Sequence, residues 1–248
     1  MKFRFSPRAA AVVAVLLLRS QGETSPLEKF RSANALYDQG NFGVAIAEYR
    51  ELLSSGTQDF RIYYNLANAY YRDKKTGYAM VNLLRAQRLA PRDDDIKANL
   101  AFLKQQTLDK FPRLPDPVGS LWRPFTLNEL AWLFTLFYIL SIGSVAAWRF
   151  RIYPVRVFRW GTVGLGLVAL VFLILLYGKY QSDYAQEHGV VIAQQVEVKS
   201  GPGEEFLTQF TGHEGLTLTV LQMRPDWYEA LFPNGVKGWV KRGTVELL

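Results

Sequence analysis

Few side chains in this sequence can perform covalent or metal chemistry. The 248 residues contain no cysteine and only two histidines, His188 and His213. Without cysteine, disulfides, thiolate zinc sites and thiol redox chemistry are excluded. Neither histidine has a neighbouring acid pair or second ligand, and no Ser-His-Asp order or phosphate-binding motif is recognisable. We therefore predict a protein that is not an enzyme and that uses no metal and no cofactor.

Asparagines recur at a fixed spacing instead. Asn34 and Asn68 lie 34 residues apart, and so do Asn65 and Asn99. Each amide offers donors and an acceptor, so a ladder of asparagines can pair with the main chain of an extended peptide. The alternative is that these amides hold neighbouring helices together. The predicted peptide-binding residues are Asn34, Tyr64, Asn65, Asn68, Tyr71 and Asn99.

The same spacing extends over the whole segment 26–110. When Pro26 is the first position of a repeat, Phe60 and Asp94 begin the next two. Small residues then coincide at Ala33, Ala67 and Ala101, and again at Ala45 and Ala79. This pattern resembles the tetratricopeptide repeat, a pair of helices with a 34-residue period. The resemblance implies a helical module that binds peptides. The positions of the basic residues in carboxylate-clamp members hold Phe30, Tyr64 and Asp95, which argues against carboxylate specificity.

Local signals predict where these helices begin. Ser25-Pro26-Leu27-Glu28 combines an N-cap, a proline at the first helical position and a capping-box glutamate. A last helix, roughly residues 95–108, lacks a following partner helix and is expected to cap the array with its polar face.

The N-terminus has the features of an export signal over residues 1–22. A positively charged start precedes the apolar stretch Ala9 to Leu18, and Ser20-Gln21-Gly22 offers a cleavage site. An uncleaved anchor or a different start is the alternative, because Arg19 directly follows the apolar stretch.

Two apolar segments predict transmembrane helices at residues 127–148 and 160–178. They follow a proline-rich linker, residues 112–124, that is expected to be extended. Each has a long run without charge, and aromatic residues lie near the ends of the runs, as in membrane interfaces. Neither run contains an acid or a base, so transport and proton relay are not expected.

The loop between these helices, residues 149–159, contains four arginines and no acid. The positive-inside rule therefore makes it cytoplasmic, and both soluble regions share the other face, the periplasm. The net charge of +7 does not indicate nucleic-acid binding, because its sharpest basic cluster is this loop.

The segment 189–248 alternates apolar and polar residues, with Asn234-Gly235 as a hairpin turn. Short strands at this density predict a small barrel. Val196 to Pro202, Asp226-Trp227-Tyr228 and Gly238-Trp239-Val240 resemble the bacterial SH3 domain. We predict an aromatic ligand groove formed by Trp227, Tyr228 and Trp239. Core packing of at least one tryptophan is the alternative.

The predicted fold class is therefore multi-domain: all-α tetratricopeptide repeats, a transmembrane hairpin of two helices, and a small all-β SH3-like barrel. This order, with the run Ala98-Asn99-Leu100-Ala101-Phe102-Leu103, resembles the BatE-type proteins of bacterial aerotolerance operons. The resemblance implies an inner-membrane scaffold whose partners are membrane-anchored von Willebrand A-domain proteins and, indirectly, a MoxR-type ATPase in envelope or oxidative stress tolerance. The alternative is a cell-wall protein that binds peptidoglycan peptides through its SH3-like domain.

Overall fold

A computed structural model describes residues 25–110, 117–150 and 155–248. The predicted signal peptide lies outside the described residues, as do parts of the predicted linker 112–124 and of the predicted loop 149–159. The described residues divide into two compact units, one that ends at Gln58 and one that begins at Asp59.

The first unit contains two helices, α1 (Pro26–Asp38) and α2 (Phe42–Ser54). The predicted capping box begins α1: the Glu28 N–H donates to Ser25 Oγ at 3.2 Å, and the Ser25 N–H donates to the Glu28 carboxylate at 3.1 Å. These bonds satisfy two main-chain donors that a helix end leaves without partners.

The two helices pack through small residues. Ala33 and Ala45 are both 0% exposed, and Tyr49 is 1% exposed with its ring against Phe30. Because an alanine side chain occupies little volume, the two helix axes approach closely at the positions that the repeat alignment predicts.

The second unit begins with three more helices, α3 (Phe60–Arg72), α4 (Thr76–Leu89) and α5 (Asp94–Gln106). Asp59 and Asp93 cap α3 and α5 by accepting main-chain N–H groups of Arg61 and Ile96. Ala67 and Ala79 are buried where α3 meets α4, as their counterparts are in the first unit. The five helices form TPR-like repeats, so this part of the prediction is confirmed.

Two long apolar helices follow, α6 (Leu127–Arg149) and α7 (Val155–Tyr180), and a π-helical turn (Gln181–Ala185) continues α7. They pack against each other, with Phe137 stacked on Phe172 at 5.5 Å between ring centroids and Ser144 Oγ 2.5 Å from Thr162 Oγ1. Both are long and apolar enough to cross a membrane, and their outer surfaces are almost entirely exposed.

The C-terminal region forms one antiparallel sheet of seven strands in the order β3-β2-β6-β5-β4-β1-β7. The strands are β1 (His188–Val191), β2 (Gln195–Lys199), β3 (Thr208–His213), β4 (Thr217–Met223), β5 (Trp227–Leu231), β6 (Lys237–Lys241) and β7 (Val245–Leu247). Its core contains buried side chains from most strands, among them Val191, Val198, Tyr228 and Val240.

The sheet is open, which corrects the predicted small barrel. β3 and β7 are its edges and do not pair with each other among the described residues. The repeat module contacts both edges instead: Arg85 of α4 donates to the Leu247 carbonyl at 2.5 Å, and Asp109, in the segment after α5, accepts the His213 N–H at 2.6 Å. Because these contacts satisfy edge groups, the sheet does not need to close on itself.

Helix α4 packs directly on β1. A Cβ on Gly77 would lie 2.7 Å from the Val191 carbonyl oxygen, so only glycine permits this approach. Further along α4, Arg85 also reaches Glu246 at 3.2 Å. Helix α4 and the sheet are therefore packed together.

Candidate peptide-binding surfaces

Helices α3 and α5 bring several of the predicted peptide-binding residues together. Asn99 Nδ2 donates to Tyr64 Oη at 3.1 Å and to Asn68 Oδ1 at 3.2 Å. All three side chains are half-buried. Asn99 thus uses both hydrogens of its amide to hold α5 against α3, while its own carbonyl and the Asn68 amide nitrogen retain hydrogen-bonding capacity.

Aromatic contacts extend this surface. Tyr71 lies edge-on to Phe102, with 5.6 Å between ring centroids, and its hydroxyl donates to Gln106 Oε1 at 3.2 Å. Phe102 is 46% exposed. We call this surface the α3–α5 face, and its residues are Tyr64, Asn65, Asn68, Tyr71, Asn99 and Phe102.

Phe102 was not among the predicted site residues. The repeat alignment contains its signal, because position 102 follows Asn34 and Asn68 at the same 34-residue interval. An aromatic side chain at a position occupied by asparagine in the preceding repeats changes this end of the surface from polar to apolar.

In the first unit, Asn34 has a local partner. The Tyr49 hydroxyl of α2 donates to Asn34 Oδ1 at 2.6 Å. Asn34 therefore joins the two helices of its own repeat. At Asn34, Asn68 and Asn99 the contacts are of the kind expected if asparagines hold helices together. Asn65 lies half-buried on α3.

The sheet carries a second concave surface beside Trp227. It is an open cleft of about 660 Å³ between the β2–β3 loop, the β4–β5 turn and the end of β6. We call it the Trp227 cleft, and its lining residues are Glu204, Pro225, Asp226, Trp227, Lys241, Arg242, Gly243 and Thr244.

The other two predicted groove residues lie beneath the surface. Tyr228 is 3% exposed and Trp239 is 8% exposed. Arg242 Nε donates to the Tyr228 hydroxyl at 2.9 Å, and the Arg224 guanidinium lies 5.0 Å from the centre of the Trp239 ring. Trp227 is thus the one member of the predicted aromatic set that lines the cleft. The other two contact arginines, of which Arg242 lines the cleft.

Ion pairs fix the charges around the Trp227 cleft. Lys199 is 7% exposed and its Nζ lies 2.9 Å from Glu197, while Glu204 pairs with Lys241. The hydrogen bond from Lys199 lowers the pKa of Glu197, and the hydrogen bond to Glu204 raises the pKa of Lys241. Both shifts favour the charged forms of Glu197 and Lys241, and the groups around the cleft include both acidic and basic side chains.

Both histidines form contacts within the second unit. The His213 ring Nδ1 lies 3.1 Å from Asp109 Oδ1, which ties the segment after α5 to the sheet. The His188 ring contacts Thr219 Oγ1 at 3.1 Å and the Ser182 carbonyl at 2.8 Å. Among the residues that the structure describes, no three His, Asp or Glu side chains converge to hold a metal ion.

Comparison with known proteins supports the helical part of this description. A family model described as TPR repeat matches residues 33–74, from the middle of α1 to just beyond α3. No curated protein sequence matches the chain significantly. TPR repeats are typically non-catalytic interaction modules. The chain thus combines TPR-like helical repeats with two helices long enough to span a membrane and an open antiparallel sheet.

Proposed function

We propose that this protein is a membrane-anchored, non-enzymatic scaffold that binds an extended segment of a partner protein. The observation that carries the proposal is the α3–α5 face, where amide and aromatic side chains lie side by side on a TPR-like module. Amides supply hydrogen bonds to a peptide main chain, and Tyr71 and Phe102 supply apolar contact for its side chains.

The anchor is the hairpin of α6 and α7. Their exposed apolar surfaces would be costly in water but are favourable in lipid. In this proposal the hairpin crosses the bacterial inner membrane twice, the arginine-containing loop 149–159 is cytoplasmic, and the repeats and the sheet are periplasmic.

The partners that we propose are membrane-anchored von Willebrand A-domain proteins and, through them, a MoxR-type ATPase. This part of the proposal rests on the resemblance to BatE-type proteins, with the sheet as an SH3-like module. On this proposal, the scaffold belongs to a complex for envelope or oxidative stress tolerance.

The Trp227 cleft supports a second candidate function, which is binding to cell-wall peptides. Such peptides carry free carboxylates and amines, and the cleft presents Arg242 and Lys241 beside Asp226 and Glu204 around one aromatic ring. In that case the sheet is the binding module and the repeats act as a spacer.

Site-specific photocrosslinking in the full chain tests the two candidates in one experiment. Phe102 on the α3–α5 face and Phe206 in the β2–β3 loop are both phenylalanines of similar exposure, 46% and 40%. Each is replaced singly by p-benzoylphenylalanine, and adducts formed in living cells are identified by mass spectrometry. The scaffold proposal predicts an adduct with a von Willebrand A-domain protein at position 102. Muropeptide adducts at position 206, with none at position 102, would transfer the function to the sheet.

A further inference from the structure

The contacts between α4 and the sheet show which end of the sheet faces the apolar helices. Gly77 meets Val191 at one end of the interface, and eight residues further along α4 Arg85 donates to the Leu247 carbonyl. Leu247 pairs with Gly189. Residues further along α4 therefore lie nearer to the start of β1, which is His188.

The same direction along α4 leads to the ends of both apolar helices. Beyond α4, Arg92 forms an ion pair with Glu129 in the first turn of α6. The start of β1 leads to α7, because only Gln186 and Glu187 separate His188 from the π-helical turn that continues this helix. Two independent connections thus place the start of β1 at the end of the sheet nearest the helical hairpin.

The β4–β5 hairpin extends toward the same end. β4 pairs antiparallel with β1, with Thr219 opposite His188, and then continues four residues further to Met223. The turn Arg224–Asp226 follows. Since β4 runs opposite to β1, its final residues extend beyond the start of β1 in the direction of α6 and α7.

The exposed side chains at this end of the hairpin include the apolar and basic types that are found at a bilayer interface. Leu221 is 46% exposed and Met223 is 44% exposed, so both apolar side chains at this end of β4 are accessible from outside the sheet. Leu221 lies at a β-bulge between Val220 and Gln222. Arg224 is exposed beside them, although Asp226 adds one negative charge to the turn.

The neighbouring end of α7 carries a matching group of aromatics. Tyr177, Tyr180 and Tyr184 are 63%, 50% and 50% exposed. Tyrosines of this kind mark the level of the lipid headgroups, with the ring in the apolar layer and the hydroxyl in water. The direction of β4 places Leu221 and Met223 near the level of the headgroups.

We propose that the β4–β5 hairpin rests in the headgroup layer of the phospholipid bilayer that α6 and α7 cross. Leu221 and Met223 reach the acyl boundary, and the Arg224 guanidinium remains among the phosphates. This inference rests on the proposed function, because it requires the two helices to span the membrane. The contact is a third attachment point, which prevents the sheet and the α3–α5 face from rotating on the short Gln186–Glu187 connection.

Depth-dependent fluorescence quenching tests the contact in the full chain. The natural protein has no cysteine, so single cysteines can be labelled cleanly with an environment-sensitive dye. Met223→Cys is the test variant, and Leu221→Cys repeats it at a second position. Ile142→Cys, 51% exposed in the middle of α6, reports on the span. Asn234→Cys, in the exposed turn at the other end of β5, is the matched control.

Each labelled protein is reconstituted in nanodiscs of phosphatidylethanolamine and phosphatidylglycerol with or without shallow doxyl-labelled lipid. We expect the doxyl lipid to remove most of the dye emission at positions 142, 221 and 223 and to leave position 234 unchanged. Quenching at position 142 alone would overturn the hairpin contact and leave the anchor intact. No quenching at position 142 would overturn the anchor and the hairpin contact together.

Discussion

The main-chain N–H of Gly77, at the start of α4, donates a 2.7 Å hydrogen bond to the carboxylate of Glu214, in the turn between β3 and β4. The two residues are 137 positions apart in the chain. Glu214 thereby satisfies one of the main-chain donors that a helix start leaves without a partner, and its negative charge lies at the positive end of the helix dipole. The sheet therefore caps a helix of the repeat array.

A methyl group at position 77 should disrupt this interface. In Gly77→Ala the new Cβ would lie 2.7 Å from the Val191 carbonyl oxygen and 2.8 Å from Ile192 Cα, both of which are main-chain atoms. Overpacking of this kind costs about 1–3 kcal/mol, so we expect a lower melting temperature for the full chain in detergent. Gly43→Ala is the control, because its Cβ would meet nothing within 4 Å. Equal melting curves for the two variants would refute the close contact.

The repeat alignment is tested by a large residue at a helix crossing. Ala79 is 0% exposed between α3 and α4. Ala79→Trp should lower the free energy of unfolding by about 1–3 kcal/mol or more, since a packed site cannot accept the indole ring. Ala98→Trp places the same ring on the exposed side of α5 and should be tolerated. Loss of helical circular dichroism on heating distinguishes the variants, and a parental melting curve for Ala79→Trp would show that the alignment is wrong.

Asn99 separates the structural and binding roles of the asparagines. Asn99→Ala removes both hydrogen bonds to α3, and at a net contribution of about 0.5–1.5 kcal/mol per bond it should destabilise the repeats measurably. Gln105→Ala, on the exposed side of the same helix, is the control and should melt like the parent. Both are measured for melting temperature and for the photocrosslink at position 102. An unchanged melting temperature combined with a lost crosslink would assign Asn99 to the partner instead of to the helix contact.

Acid should weaken the cap of α3 in a defined pH range. The hydrogen bond from the Arg61 side chain lowers the pKa of Asp59. The charge of Asp59 therefore stabilises the fold above the unfolded-state pKa, about 3.9, and this contribution is lost as the pH falls through the lower folded-state pKa. At neutral pH, Asp59→Ala should cost about 0.5–2 kcal/mol as a lost N-cap.

Asp59→Asn keeps a capping oxygen but removes the charge. Its difference in melting temperature from the parent should be present at neutral pH and should vanish in strong acid. A difference that stays constant across this range would mean that the Asp59–Arg61 pair contributes no charge-dependent stability.

The repeat module was predictable because its information is local and periodic. Small residues 34 positions apart mark the helix crossings, and Ser25 with Glu28 marks the first helix start. The first signal depends on the small volume of an alanine, and the second depends on hydrogen bonds at a helix start. The two long apolar helices were predictable for the same reason, since their composition is visible within one segment.

The open sheet was not predictable from strand periodicity. Alternation shows that a segment is a strand, but it does not show what lies beside an edge. Here Arg85 of α4 and Asp109 in the segment after α5 contact β7 and β3, and no pattern within residues 189–248 contains that information. The one available signal was Gly77, a glycine inside a predicted helix, which indicates close approach of another backbone.

The predicted ligand groove was also only partly predictable from the sequence. Sequence places Trp227, Tyr228 and Trp239 in one region, but alternation along a strand sends Trp227 and Tyr228 to opposite faces. Tyr228 therefore enters the core and Trp227 lines the cleft. The partners of these aromatics, Arg224 and Arg242, depend on strand pairing that the sequence does not specify.

The accessibility of single cysteines tests whether the protein is a scaffold that is anchored across a membrane with its binding modules on one side. Full-length variants Ser55→Cys, Asn234→Cys and Arg149→Cys place one thiol on the repeats, one on the sheet and one at the far end of α6. Intact spheroplasts are treated with a membrane-impermeant maleimide, before and after permeabilisation. We expect labelling of positions 55 and 234 in intact spheroplasts and of position 149 only after permeabilisation. Labelling of position 149 in intact spheroplasts would refute the proposed topology.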